Sequence, residues 1–232
     1  MSESNPIDWQ EILTGEMLLF NLLGRIVYKY PSDEERPWLK SLIDDDIFSE
    51  VPFAAEKEET KAGLTRLQKW EKEGLTDESF TKIQADYTQL FIGPGKVLAP
   101  PWESVHFGDD RLVFQKQTLE VRNWYRRFGL ESEKIHQEPD DHIGLELLFL
   151  AHTASLGIQA LDESDNTRLE ETLNAQRVFV QEHLGAWALT WSGLVEKNAR
   201  TDFYKGLAFL VVGALRELSG VLNIKLAKDA AK

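Results

Sequence analysis

The sequence of 232 residues contains no cysteine. This absence excludes disulfide bonds, thiolate nucleophiles, cysteine-ligated zinc and iron–sulfur clusters from the chain. Any metal site would have to be built from histidine and carboxylate side chains.

The sequence also lacks a long hydrophobic run and a secretory signal. Its most apolar window, 206–215, is about half as long as the ~20 residues that a membrane-spanning helix needs. The first residues, MSESNPIDWQE, have neither the basic patch nor the apolar run of a signal peptide. We therefore expect a cytoplasmic protein that does not insert into a membrane.

Basic residues are scarce relative to acidic ones. The chain has 26 Lys and Arg against 39 Asp and Glu, a formal net charge of −13. Such a surface repels nucleic acid and anionic lipid, and it favours a basic partner. Hydrophobic residues make up 42% of the sequence, which is enough for a packed core.

Hydrophobic residues recur with helical spacing in almost every segment, and no segment shows the sustained alternation of a half-buried strand. The pattern predicts an all-α protein, a single globular helical bundle over 1–232 with a long apolar loop in mid-chain. The one candidate for a subdivision is 93–110. Seven predicted helices cover 8–30, 37–43, 56–74, 139–157, 167–184, 186–199 and 201–226. Two more lie between the third and the fourth of these. One follows Thr76 and ends near Phe91, and the other is capped by Asp109 or Asp110 and contains Phe114 and Phe128.

The segment 93–108, GPGKVLAPPWESVHFG, contains three prolines and three glycines, and this composition predicts a non-helical loop. It is nevertheless apolar, with Val97, Leu98, Trp102, Val105 and Phe107. Long loops inside compact domains are often binding loops or lids. Composition alone leaves open whether this loop binds a partner or only covers the core.

Two motifs carry a resemblance to a known family. The stretch YTQLFIGPGKVLAPPWESVHF spans 87–107, and the run EPDDH spans 138–142. Together they resemble the signature segments of the redox-enzyme maturation chaperones of the DmsD, TorD and NarJ type, and their spelling favours the DmsD branch. His106 departs from the aromatic residue expected after P-P-W-E-S-V.

This resemblance implies a chaperone that is not an enzyme and has no cofactor of its own. Its partner is the twin-arginine leader of a molybdenum-cofactor oxidoreductase, of the dimethyl-sulfoxide-reductase type, which it holds until cofactor loading and folding are complete. The family also implies contact with components of the twin-arginine (Tat) export system. The peptide-binding residues carried over by the motifs are Tyr87, Leu90, Phe91, Gly93, Pro94, Pro101, Trp102, Glu103, Ser104, Glu138, Pro139, Asp141 and His142.

The chemistry of the first motif suits such a leader, which presents two guanidinium groups beside an apolar run. Trp102 offers a flat apolar or cation–π surface, and Glu103 can accept a bidentate pair of hydrogen bonds from an arginine. Tyr87, Leu90 and Phe91 share one helical face, so they form either the floor of a groove or ordinary core.

In the second motif, Pro139 suits the first position of a helix. Asp140 and Asp141 would then lie in its first turn, where capping alone can explain them. His142 and Glu146 are one turn apart and can share a hydrogen bond. We expect Trp102, Asp141 and His142 to lie close together in the fold, because a leader needs apolar and polar contacts at one site.

Two other hypotheses stay open at this point. His142, Glu146, His152 and Asp141 could contribute to the metal site of a hydrolase, and Glu133 with His136 has the Glu-x-x-His spacing of helical di-metal sites, although no second such pair recurs. A purely structural interaction module would keep the fold without leader binding. The sequence fits either a monomer or a domain-swapped dimer.

Overall fold

The computed structural model describes residues 7–107, 112–131 and 138–226. These residues form ten α-helices and one π-helical turn, with an isolated β-bridge and no named strand among them. The all-α prediction is confirmed. The helices are α1 (Trp9–Tyr28), α2 (Arg36–Asp44), α3 (Glu58–Glu73), α4 (Asp77–Tyr87), the π-helical turn (Thr88–Ile92), α5 (Glu103–Phe107), α6 (Lys116–Arg127), α7 (Ile143–Asp162), α8 (Asn166–Glu182), α9 (Leu184–Asn198) and α10 (Asp202–Val221).

Local signals set several helix ends. Asp8 caps α1 by accepting a hydrogen bond from the Glu11 amide at 3.1 Å. Thr76 caps α4, as predicted. Gly74, predicted to end α3, has a φ of 72°, the left-handed region that favours glycine at a helix C-terminus.

Helices α1 and α7 pack closely at the centre of the fold. A methyl group added at Gly24 would lie 2.8 Å from the carbonyl oxygen of Gly144, so neither position tolerates a side chain without movement. By length and composition α7 is apolar enough to span a membrane, but 61% of its apolar window is buried inside the fold. Its composition is therefore explained by its place in the core.

Helix α10 packs against α3 and α9. Its segment 207–215 is buried except for partial exposure of Phe209 and Val212, so this helix lies in the core. One contiguous cluster of buried apolar side chains includes residues of α1, α3, α7 and α10. The assignment of 1–232 to a single domain stays a prediction.

Three boundary predictions are wrong: those for the loop 93–108, for the start of α6 and for the start of α7. The loop 93–108 contains the short helix α5, because the two residues after Trp102 are anchored by hydrogen bonds described below. Helix α6 begins only at Lys116, after Gln115, which has no capping side-chain bond, and Phe114 precedes it with its side chain exposed. Asp109 and Asp110, the predicted caps, lie outside the described residues.

Helix α7 begins at Ile143, not at Pro139. Residue His142 is extended, with φ −80° and ψ 130°, because its backbone takes part in the β-bridge. Asp140 and Asp141 therefore precede the helix and do not belong to its first turn.

Candidate functional site

A two-residue backbone bridge joins the two sequence motifs. Trp102 and His142 form an isolated antiparallel bridge. The Glu103 amide donates to the Asp141 carbonyl at 2.9 Å, and the Ile143 amide donates to the Pro101 carbonyl at 2.8 Å. The structure thus brings Trp102, Asp141 and His142 together, as the sequence led us to expect.

The Asp141 carboxylate fastens this bridge to α5 and α6. One oxygen accepts a hydrogen bond from the Ser104 amide at 2.7 Å, and the other accepts from the Thr118 hydroxyl at 2.7 Å. Asp141 is fully buried. Hydrogen bonds to a carboxylate are stronger than those between neutral groups. Asp141 therefore holds the first motif in place.

Asp140 makes a second connection to α6. Its carboxylate accepts from Arg122 Nε at 2.6 Å, and its carbonyl accepts from the Tyr125 hydroxyl at 3.1 Å. Both aspartates of the EPDDH motif are therefore engaged inside the protein.

His142 is the N-cap of α7. Its Nδ1 accepts a hydrogen bond from the Gly144 amide at 3.0 Å, which places the proton of a neutral imidazole on Nε2. Its ring makes edge contacts with Tyr28, at 5.2 Å between centroids, and with Trp102, at 6.1 Å. Tyr28 at the end of α1 thereby joins the site, although no motif marked it.

Glu103 points into the protein, where it meets His183. His183 Nδ1 lies 3.1 and 3.2 Å from the two carboxylate oxygens. Burial raises the pKa of Glu103, and the hydrogen bond and charge of His183 oppose that rise. In this conformation Glu103 faces His183 and is not presented to an arginine from outside.

Glu146 lies in the same buried region. Its carboxylate accepts from the Trp187 indole at 3.4 Å, while its amide donates to the His142 carbonyl at 3.0 Å as part of the helix. Burial, reinforced by the charges of Glu103 and Asp141, raises the pKa of Glu146 well above its ordinary range.

Tyr87, Leu90 and Phe91 of the first motif belong to the core. Tyr87 is buried, and its hydroxyl donates to the carbonyls of Val27 and Tyr28 at 3.1 and 3.2 Å. Phe91 stacks on Trp191 with ring centroids 5.8 Å apart. The Leu90 carbonyl accepts from the Ala99 amide at 2.8 Å and so anchors the loop.

Exposure divides the thirteen predicted binding residues into two groups. Those that reach the surface, at least in part, are Gly93, Pro94, Trp102 and Glu138. Those that are buried are Tyr87, Leu90, Phe91, Pro101, Glu103, Ser104, Pro139, Asp141 and His142. Of the buried group, His142 contacts the partly exposed residue Trp102 directly.

Comparison with known proteins decides the family. The family model described as nitrate reductase delta subunit matches residues 53–191. A protein of Salmonella typhi named Tat proofreading chaperone DmsD is 32% identical over 207 residues, which cover 89% of this chain and 90% of the relative. The chain belongs to the nitrate reductase delta subunit family.

A second relative agrees with this assignment. A protein of Vibrio cholerae (strain ATCC 39541) named chaperone protein TorD is 30% identical over 192 residues, which cover 82% of this chain and 80% of the relative. A solved chain described as a redox enzyme maturation protein of Archaeoglobus fulgidus covers 90% of this chain at 18% identity and a TM-score of 0.46. The relatives in this family are named as chaperones and not as catalytic enzymes.

The metal-dependent hydrolase finds no support. Within the described ranges, no group of three or more His, Asp or Glu side chains is placed to hold a metal ion. His152 Nε2 instead lies 3.2 Å from the Phe128 carbonyl. Glu133 and His136 lie outside the described residues.

Proposed function

We propose that this chain is a cytoplasmic chaperone that binds the twin-arginine leader of a molybdenum-cofactor oxidoreductase of the dimethyl-sulfoxide-reductase type. It holds the precursor until the cofactor is loaded and the enzyme is folded, before export. The observation that carries the proposal is the match, over most of the chain, to a relative named Tat proofreading chaperone.

The bridge between the two motifs supports a leader contact at the surface around Trp102. The indole is partly exposed, and Gly93, Pro94 and Glu138 also reach the surface. A tryptophan face suits either the apolar run of a leader or one of its guanidinium groups. The buried members of the motifs act indirectly, because Asp141 and His142 fix where Trp102 stands.

The charge of the chain supports a basic ligand. A net charge of −13 attracts a leader that carries two adjacent arginines. We also propose that the chain acts as a monomer or a domain-swapped dimer, and that it passes its client to components of the Tat export system. Light scattering coupled to size-exclusion chromatography separates the two oligomeric states.

Calorimetry with a synthetic leader peptide tests the proposal. The wild-type chain should bind a peptide that contains the arginine pair and the apolar run, and it should bind a peptide with both arginines replaced by glutamine more weakly. Absence of any heat at tens of micromolar protein, which corresponds to affinities weaker than about −6 kcal/mol, would contradict leader binding and favour a structural interaction module.

Salt provides a second test on the same peptides. Because counterions screen exposed charges beyond a Debye length of about 8 Å at physiological ionic strength, affinity for the arginine peptide should fall between 50 mM and 500 mM salt. The glutamine peptide should show a smaller change. Equal salt dependence for both peptides would mean that the acidic surface does not recognise the arginines.

A further inference from the structure

An apolar groove, separate from the bridge between the motifs, lies between α1 on one side and α2 with the segment that follows it on the other. Its volume is about 900 Å³. Leu18 and Leu22 of α1 line one side, and Trp38 and Ile47 line the other. Leu18 is 51% exposed and Ile47 is 38% exposed, so large apolar side chains face solvent there. Exposed apolar surface of this kind is typical of a docking site.

The rim of this groove is acidic. Asp45, Asp46 and Glu50 line it and are exposed, and none of the three makes an ion pair within the part of the chain that the structure describes. Arg25, a basic residue in the lining, is already engaged, because it pairs with Glu35 at 3.0 Å and lies over the Trp38 ring at 3.8 Å. The groove therefore combines an apolar floor with uncompensated negative charge.

We infer that this groove binds the apolar run of the leader as a helix, with the flanking arginines at the rim formed by Asp45, Asp46 and Glu50. This inference rests on the proposed function and gives the leader a binding surface that the two motifs do not contain. Grooves with apolar floors bind the apolar face of an amphipathic helix, and an acidic rim selects basic flanks.

Charge argues against a second copy of the chain as the occupant. Each copy carries a net charge of −13, so self-association at an acidic rim brings like charges together. An uncharged apolar molecule would leave the three carboxylates unused. A basic, apolar peptide is the ligand whose chemistry matches both parts of the groove.

Helix α1 connects the groove with the bridge between the motifs. Leu18, midway along α1, lines the groove, and Tyr28 at the C-terminal end of the same helix contacts His142. Ten residues of helix separate them, about 15 Å at 1.5 Å per residue. A peptide helix of about ten or more residues is long enough to cover this axial distance.

Substitution of the groove tests the inference with the fluorescently labelled leader peptide. Leu18→Glu should weaken binding about tenfold or more, because it places a charge where the apolar run docks. The matched control is Leu119→Glu on α6, which replaces a leucine that is 57% exposed and should bind within about twofold of wild type. Circular dichroism checks that each variant is helical, and Ile47→Glu replaces Leu18→Glu if that variant does not fold.

A double substitution at the rim tests the contact with the arginines. Asp45→Asn with Asp46→Asn should weaken the arginine peptide severalfold at low salt but leave the glutamine peptide unchanged. Asparagine suits position 46 because Asp46 has a φ of 51°.

If the wild type binds the leader and Leu18→Glu or Ile47→Glu binds equally well, the leader does not bind in this groove and the proposed function stands. If the wild type does not bind the leader, the proposed function itself fails. A shift of the wild type to dimers that Leu18→Glu abolishes, without an effect on peptide affinity, would assign the groove to self-association and overturn the inference.

Discussion

Glu103 and His183 are 80 residues apart in sequence and face each other inside the protein, with 3.1 Å between a carboxylate oxygen and Nδ1. The contact links the start of α5 to the junction between α8 and α9. A residue of the first motif is thus held from a distant part of the chain. The buried side of the motif serves the architecture of the site, and its exposed side is the part that we propose contacts the leader.

Replacing Glu146 by glutamine should stabilise the protein at neutral and alkaline pH. Because burial raises the pKa of Glu146, the folded state holds its proton more tightly than the unfolded state. The stability that this proton contributes is present below the unfolded pKa and is lost as pH rises through the folded pKa. Glutamine mimics the protonated form, so we expect a gain of about 1 to 2 kcal/mol at about pH 8 and almost none at about pH 4.

Thermal unfolding monitored by circular dichroism checks this expectation, since about 1 kcal/mol corresponds to a shift of ~2 to 4 °C for a chain of this size. Glu170→Gln on the exposed surface of α8 is the control and should show no pH-dependent difference. A gain for Glu146→Gln that is as large in acid as in alkali would show that Glu146 does not carry the effect through its charge.

Replacing Asp141 by alanine should destabilise the protein. The change leaves the Ser104 amide and the Thr118 hydroxyl without their acceptor in a buried place. We expect a loss of about 2 to 4 kcal/mol in the free energy of unfolding, measured with urea. Asp162→Ala, at the exposed end of α7, should change it by less than about 0.5 kcal/mol. A wild-type urea midpoint for Asp141→Ala would mean that these two hydrogen bonds do not hold the site.

Replacing Trp102 by alanine should weaken leader binding while the helices persist. Trp102 is partly exposed and packs at the edge of His142, so its loss removes a contact surface without opening the centre of the core. We expect a cost of about 1 to 3 kcal/mol in peptide affinity. Trp124→Ala on α6 removes an indole of similar exposure elsewhere and should leave the affinity close to wild type. Equal effects of the two substitutions would point to general destabilisation.

Two glycine substitutions should act in opposite directions. Gly24→Ala places a methyl group against the Gly144 carbonyl of α7 and should lower stability by about 1 to 3 kcal/mol. Gly193→Ala on α9 meets no atom within 4 Å and should raise stability by about 0.5 to 1 kcal/mol, because alanine is the better helix former. Melting temperatures of both variants test the close packing of α1 and α7, and a rise for Gly24→Ala would contradict it.

Features set by neighbouring residues were predictable from the sequence. Thr76 and Gly74 act through bonds and dihedral angles within their own turn, and both perform the predicted role. The prediction that a helix begins at Pro139 is wrong. The local preference of proline for a helix start competes with the bridge to Trp102, which lies far away in sequence. Tertiary structure overrides local helix propensity when backbone donors and acceptors form hydrogen bonds with distant parts of the chain.

The candidate site was also predictable from the sequence only in part. The motifs predicted that Trp102, Asp141 and His142 meet, but not that Glu103 is turned inward towards His183. His183 falls inside the predicted helix 167–184, although in the structure it lies between α8 and α9, and nothing near it in sequence marks it as a partner. A buried carboxylate requires a donor, but only the three-dimensional packing shows which of the five histidines supplies it.

The bridge between Trp102 and His142 turns the intervening chain into a closed loop whose ends are fixed by main-chain atoms. The two hydrogen bonds of the bridge join main-chain atoms, and the Asp141 carboxylate and the His142 ring add side-chain bonds at the same junction. The start and the end of the enclosed segment are therefore held at one point of the fold, and a change that releases one motif should also release the other.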